Sequence, residues 1–109
     1  MALKGRKGYT MKVQNMTNSN GNKVANQFII EDEGRGALGN FIKRQTFQSY
    51  NSIIAVKTVW EDETRIELDR DKWDYSMTTG KYRNLFLGET KKETEKKIAS
   101  GEYKLADLN

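Results

Sequence analysis

The chain has 109 residues and a mass of 12.6 kDa, which is the size of a single domain and excludes an enzyme built from two domains. It contains no histidine and no cysteine, so an imidazole base, a thiolate nucleophile, a disulfide and a zinc site of the Cys/His kind are all excluded. Only 36% of the residues are apolar, so the core must be small. Stability is then either modest or shared with a partner. The question of whether the chain forms a homo-oligomer stays open.

The formal net charge of +4 is unevenly distributed along the chain. Residues 1–60 carry a balance of +6, residues 61–75 a balance of -4, and residues 76–109 a balance of +2. A basic first half suits a polyanionic partner. No apolar run approaches the ~20 residues of a membrane span, and none follows the N-terminal lysines as a signal peptide requires. We therefore expect a cytoplasmic protein that has no membrane partner.

The start of the chain predicts a basic arm followed by a strand. Residues 1–10 (MALKGRKGYT) have the composition of a flexible arm, and we expect residues 11–109 to form one domain. From Tyr9 onward, apolar residues alternate with polar ones. This period of two predicts a strand that places Met11 and Val13 on the core side.

A tight turn and a second strand follow. Asn20-Gly21 supplies two residues that adopt positive φ readily, as a two-residue hairpin turn requires. Alternation of apolar and polar residues as far as Ile30 predicts the second strand. Glu31–Asn40 contains three glycines and a short run of acids, which predicts an exposed loop after the hairpin.

Three further strands are predicted in the middle of the chain. Residues with β-branched and aromatic side chains dominate Lys43–Tyr50, Ser52–Trp60 and Thr64–Leu68, and polar turns separate these segments. Ile53–Val56 is apolar at successive positions, so its strand should lie centrally and be covered. With the hairpin, these segments predict an antiparallel β-meander of about five strands.

Two short C-terminal helices are predicted after the sheet. Tyr82, Leu85 and Phe86 have helical spacing, follow a Ser/Thr cluster that can cap a helix start, and precede Gly88, where the helix would stop. A Thr-x-x-Glu capping box begins a second helix over about residues 91–100. A short strand or tail ends the chain. The predicted fold class is therefore α+β.

Two clusters are interpreted as structural elements and not as ligand sites. Trp60, Trp73 and Tyr75 should be buried, because a core so poor in aliphatic residues needs its large rings inside. The acids around Asp69 and Asp71 lack the glycine of a calcium loop, which favours a solvated turn. No metal, cofactor or catalytic residue is predicted, and we expect the protein not to be an enzyme.

The leading functional interpretation is nucleic-acid binding through a basic face. Cations and aromatic residues interleave on neighbouring strands, and bases stack on exposed rings. Strand alternation places Phe47 and Tyr50 on opposite faces, so one of them should belong to the core. The choice between DNA and RNA stays open. The predicted contacts are Lys12, Lys43, Arg44, Tyr50, Lys57, Lys91 and Lys92.

The predicted helices also resemble a DNA-reading unit. Residues 82–101, with Gly88 between the helices, resemble the helix-turn-helix of small phage repressors of the Cro type. That resemblance would place four residues against DNA: Thr90, Lys91, Lys92 and Glu95. Asn84 and Thr94 depart from its pattern, since a small apolar and a buried aliphatic residue are usual there. Covering the sheet is therefore the alternative role of the helices.

Several longer strings resemble a family of small proteins encoded by tailed bacteriophages, a family to which no activity is assigned. They are residues 22–28 (NKVANQF), 47–55 (FQSYNSIIA), 73–76 (WDYS), 81–90 (KYRNLFLGET) and 108–109 (LN). The resemblance spans most of the chain from Met11 onward. It implies a phage gene product that acts in the host cytoplasm.

Two other functions stay open in that setting. The first is an inhibitor that binds a host protein, such as a defence nuclease, by docking an acidic segment on a basic surface. The second is a structural component of the virion. The contacts predicted for the inhibitor are Glu61, Asp62, Glu63, Asp69 and Asp71.

Overall fold

The computed structural model of the protein describes residues 10–34 and 42–109. These residues form six strands and two helices. In chain order the elements are β1 (Thr10–Thr17), β2 (Lys23–Glu33), β3 (Lys43–Ser49), β4 (Ser52–Val59), β5 (Thr64–Asp69), α1 (Met77–Leu87), α2 (Lys91–Ser100) and β6 (Tyr103–Ala106).

The described strands form one mixed sheet in the order β1-β2-β3-β4-β5-β6. The predicted α+β class is confirmed, and β1 to β5 form the antiparallel meander. The predicted total of about five antiparallel strands is wrong, because β6 adds a sixth strand parallel to β5. A parallel neighbour needs a long crossover connection, and α1 and α2 supply it.

The first hairpin is present, but its turn differs from the prediction. Gly21 has a φ of 80°, whereas Asn20 is not among the residues with positive φ. The side chain of Asn18 closes the turn instead, since its Oδ1 accepts hydrogen bonds from the amides of Asn20 and Asn22 at 2.9 and 3.0 Å. An asparagine that bonds its own turn in this way removes the need for a second positive φ.

The second strand is longer than predicted. Glu31 to Glu33 were expected to begin a loop, yet they pair in register with Gln45 to Lys43 of β3. Opposite charges face each other across this ladder, which stabilises the strand pair. The rest of the predicted loop, residues 35–40, and all of the predicted N-terminal arm except Thr10 lie outside the described residues.

Both helices begin and end where the sequence predicts. The Ser76 side chain caps α1 by accepting the amide of Thr79, and the capping box of α2 is complete. Gly88 ends α1 with a φ of 70°. The predicted apolar side of α1 is only partly correct, because Leu85 is exposed and the polar side chain of Arg83 is buried in its place.

The core lies between the helices and one side of the sheet. Phe47 is fully buried and packs against Phe86 of α1, with 5.8 Å between the ring centroids. Tyr50 is half exposed, so the expectation that one of these two strand rings belongs to the core is confirmed. Trp60 and Trp73 are half-buried, whereas the predicted burial of Tyr75 is wrong, because its side chain is exposed.

None of the helices formed by residues 10–34 and 42–109 is long and apolar enough to cross a membrane.

We predict that Phe47→Ala lowers the free energy of unfolding by about 3–5 kcal/mol, because it leaves a cavity beneath α1. Val13→Ala, on an exposed strand position, should cost less than about 1 kcal/mol. Urea unfolding of both variants measures the difference. Equal losses in the two variants would contradict the placement of the core.

Candidate functional site

The two sides of the sheet differ in what covers them. Residues that pair directly across neighbouring strands lie on the same side of a sheet. The row through Ile29, Phe47, Ala55 and Leu68 lies on the side that α1 and α2 cover. The alternate residues of each strand therefore lie on the opposite side, which neither helix covers.

An apolar strip crosses four strands on this opposite side. Its central row of paired residues is Val13, Ile30, Thr46 and Val56. We call the six apolar residues of this side the open face: Met11, Val13, Phe28, Ile30, Ile53 and Val56. Met11 and Val13 are 55% and 62% exposed, so the prediction that β1 turns these residues toward the core is wrong. The alternation was correct, but the helices cover the other side.

Charged residues of both signs border the open face. Asp32 and Arg44 pair across β2 and β3, with 3.4 Å between Oδ2 and Nε. Beyond β4, the same side carries Arg65, Glu67 and Lys104. An apolar centre with a polar rim is the arrangement found at protein–protein interfaces.

The cations predicted to bind nucleic acid do not form one surface. Lys12, Lys43 and Lys57 lie on the helix-covered side of the sheet, whereas Arg44 lies on the opposite side. Lys12 and Lys57 belong to one row but are separated by two strands, one of which places Glu31 between them. At ~4.8 Å per strand, the row places them about 14 Å apart.

Carboxylates neutralise several of these cations. Lys43 Nζ lies 2.9 Å from Glu31, and Lys91 Nζ lies 2.7 Å from Asp74. These hydrogen-bonded pairs raise the pKa of both lysines above the usual value. Lys57 lies over the ring of Phe86, 5.7 Å from its centroid.

The other two predicted contacts lie away from the strand cations. Tyr50 is in the β3–β4 turn with a φ of 55°, at the opposite end of β3 from Lys43. Lys92 is exposed in the first turn of α2. The predicted nucleic-acid contacts therefore extend over both sides of the sheet, one turn and one helix.

The described residues carry no net charge. Lys4, Arg6, Lys7 and Arg35 lie outside them, whereas all 15 acids lie inside, which leaves 15 basic and 15 acidic residues. The surplus of positive charge noted in the sequence belongs entirely to residues 1–9 and 35–41.

The acidic residues predicted to bind a host protein are also divided. Glu61, Asp62 and Glu63 are exposed in the β4–β5 turn, and Asp71 is exposed after the far end of β5. Asp69 is 4% exposed, and its carboxylate accepts hydrogen bonds from the amides of Asp71, Lys72 and Leu108. Burial opposes ionisation of Asp69, but these bonds outweigh it and lower its pKa.

Sequence reasoning missed the open face, although the sequence contains a signal for it. Phe28, Ile29 and Ile30 are consecutive apolar residues, as are Ile53 to Val56. A strand with apolar residues at both odd and even positions presents them on both sides of a sheet. Two short helices can cover only one of those sides, so the apolar residues on the other side of β2 and β4 belong to the open face.

A buried arginine attaches α1 to the segment before it. Arg83 is 1% exposed, and its Nη1 donates to the carbonyl of Trp73 at 2.8 Å and to Asp74 at 3.0 Å. Its Nη2 donates to the side chain of Asn84 at 2.9 Å. Asp74 thus joins Arg83 and Lys91, which links the start of α2 to α1.

Glu89 connects α2 and β6 in a second polar cluster. Its carboxylate accepts hydrogen bonds from Lys97 Nζ at 2.7 Å, Thr94 Oγ1 at 2.6 Å and Tyr103 Oη at 2.9 Å. Burial disfavours the charged form of Glu89, but these three donors outweigh it and lower its pKa. Burial and the neighbouring carboxylate raise the pKa of Tyr103 to about 12.

Within the described ranges, no group of three or more acidic side chains is arranged to hold a metal ion.

The chain belongs to a family described as "Family of unknown function (DUF8033)", whose model matches residues 11–101. No curated protein and no solved structure matches the chain.

We predict that the Glu89 carboxylate makes stability depend on pH. Because its pKa is lower in the folded state, its contribution is present above about pH 4.5 and is lost as the pH falls through the lowered pKa. Glu89→Gln should lower the free energy of unfolding by about 1–3 kcal/mol at pH 7. In this variant the free energy of unfolding should also fall less steeply than in the wild-type chain as the pH is lowered. Urea unfolding at a series of pH values tests this.

Glu102→Gln is the matched control, since Glu102 is exposed. Its free energy of unfolding should fall with decreasing pH as steeply as that of the wild-type chain. If the free energy of unfolding of the Glu89 variant fell as steeply with pH as that of this control, the Glu89 carboxylate would not be the titrating group.

Proposed function

We propose that this member of the DUF8033 family is a non-enzymatic protein-binding module that docks a protein on its open face. The observation that carries the proposal is the apolar strip over β1 to β4, with Val13 62% exposed at its edge. The largest contiguous apolar patch on a soluble monomer is typically about 300–600 Å² and is often a contact surface.

The distribution of charge supports a protein partner over a polyanion. A nucleic-acid surface gathers unpaired cations, because each phosphate that it neutralises releases a counterion. Here Lys43 and Lys91 are paired with carboxylates, and Arg44 lies on the other side of the sheet from Lys12. The described residues are neutral as a whole.

The bacteriophage resemblance suggests where such a module would act. A phage gene product in the host cytoplasm meets host proteins and other phage proteins, and the inhibitor and virion hypotheses each require a protein contact. An apolar strip with a rim of mixed charge suits either contact. The exposed acids Glu61, Asp62 and Glu63 lie in the turn after β4, at one end of the strands that form this side.

We predict that Val13→Glu abolishes protein binding, because it places an uncompensated carboxylate at the docking contact. A loss of at least tenfold in affinity corresponds to about 1.4 kcal/mol of binding free energy. This is less than the free-energy cost of burying an unpaired charge. The measurement is capture from a nuclease-treated bacterial lysate that also contains an untagged copy of the chain. Bound proteins are identified by mass spectrometry.

Gln14→Glu is the matched control, since Gln14 is the next residue of the same strand, is also exposed, and lies on the other side of the sheet. It should retain every bound protein. Binding that disappears on nuclease digestion and falls steeply with salt would instead support nucleic acid as the ligand. Equal binding by the two variants would exclude the open face.

A further inference from the structure

We infer that the protein seated on the open face is a second copy of this chain, related by a two-fold axis that runs parallel to the strands between β2 and β3. The inference rests on the proposed function, because it names the occupant of the docking face. It follows from the strand register and from the order of residues across the sheet.

A two-fold axis in this position exchanges residues that pair across β2 and β3. It also exchanges β1 with β4. Ile30 of one copy therefore lies over Thr46 of the second copy, and Val13 lies over Val56 of the second copy. Each apolar side chain of the central row meets an apolar side chain or a threonine methyl.

An axis displaced by half a strand spacing fits less well in either direction. A two-fold axis centred on β2 would exchange β1 with β3 and leave Val56 of β4 without an apolar partner in the second copy. A two-fold axis centred on β3 would exchange β1 with β5 and would place Val13 over Glu67. That contact would bury a carboxylate without a partner. The apolar row thus selects the axis between β2 and β3, and Glu67 and Lys104 then lie at the rim, outside the four central strands.

Charge is also self-complementary about this axis. Asp32 and Arg44 are register partners on β2 and β3, so the axis places each of them over the residue of opposite charge in the second copy, with Asp32 only 4% exposed and Arg44 the more accessible of the two. No like charges of the central strands are superposed. The described residues of each copy are formally neutral, so they add no net long-range repulsion of their own to the association.

The size of the contact sets the expected strength. Four strands at ~4.8 Å and three same-side rows at ~6.6 Å give a flat footprint of roughly 400 Å². A standard stable interface buries about 800 Å² of accessible surface on each partner, and a rough side-chain surface exceeds its flat footprint. We therefore expect a reversible dimer, with two sheets packed face to face in an aligned arrangement.

Sedimentation velocity of the purified full-length chain over about 1 to 200 μM tests the inference. The expected result is a concentration-dependent shift from 12.6 kDa to twice that mass. Val13→Glu should weaken association at least tenfold, and Gln14→Glu should leave it unchanged. Circular dichroism confirms that the variants are folded.

Mixing two variants tests the axis itself. The V13K chain and the V56E chain should each be monomeric, because each dimer would bury two like-charged substitutions. An equimolar mixture should recover the dimer, because each of its dimers needs only one contact between opposite charges and keeps one Val13–Val56 contact. Recovery by mixing also shows that both variants are folded.

Three results would overturn the inference: a wild-type chain that stays monomeric up to 200 μM, a dimer that Val13→Glu does not weaken, or a mixture that stays monomeric. A monomeric wild-type chain whose capture of other proteins depends on Val13 would overturn the second copy as occupant and leave the proposed function standing. If neither self-association nor protein capture depends on Val13, both fail.

Discussion

A sheet of six strands has two sides, and the described part of the chain supplies only two short helices to cover them. α1 and α2 have 11 and 10 residues, so at ~1.5 Å per residue each is about 15 to 17 Å long. They cover one side from Phe47 to Leu68, and neither helix covers the other side. The strands nevertheless carry apolar residues on both sides, and this mismatch between apolar surface and cover gives the protein its candidate docking face.

Polar clusters hold the helices to the covered side, since the helices themselves have little apolar surface. Arg83 ties α1 to the backbone of Trp73, and Glu89 ties α2 to Tyr103 of the sixth strand. Asp69 fixes the turn after β5 and the end of the chain by accepting three backbone amides. Buried charges of this kind need hydrogen-bonded partners, so these contacts specify one position for the helix layer.

The same pairing explains why the cations of the described residues do not form one basic surface. Strand register sets Glu31 beside Lys43 and Asp32 beside Arg44, and the crossover brings Asp74 to Lys91. Each pair removes a cation that a phosphate would need. The proposed association through the opposite side of the sheet would depend instead on apolar contact, which ionic screening does not weaken.

Local signals in the sequence determined the helices and most of the strands. The capping box at Thr90, the stop at Gly88 and the β-branched strands depend on neighbours within a few residues, so they can be read directly from the chain. Tertiary structure alone decided that β6 pairs with β5, that Met11 and Val13 face away from the helices, and that the predicted cations are divided between two sides. Period-two alternation separates the two sides of a strand but does not say which side will be covered, because the cover comes from distant residues.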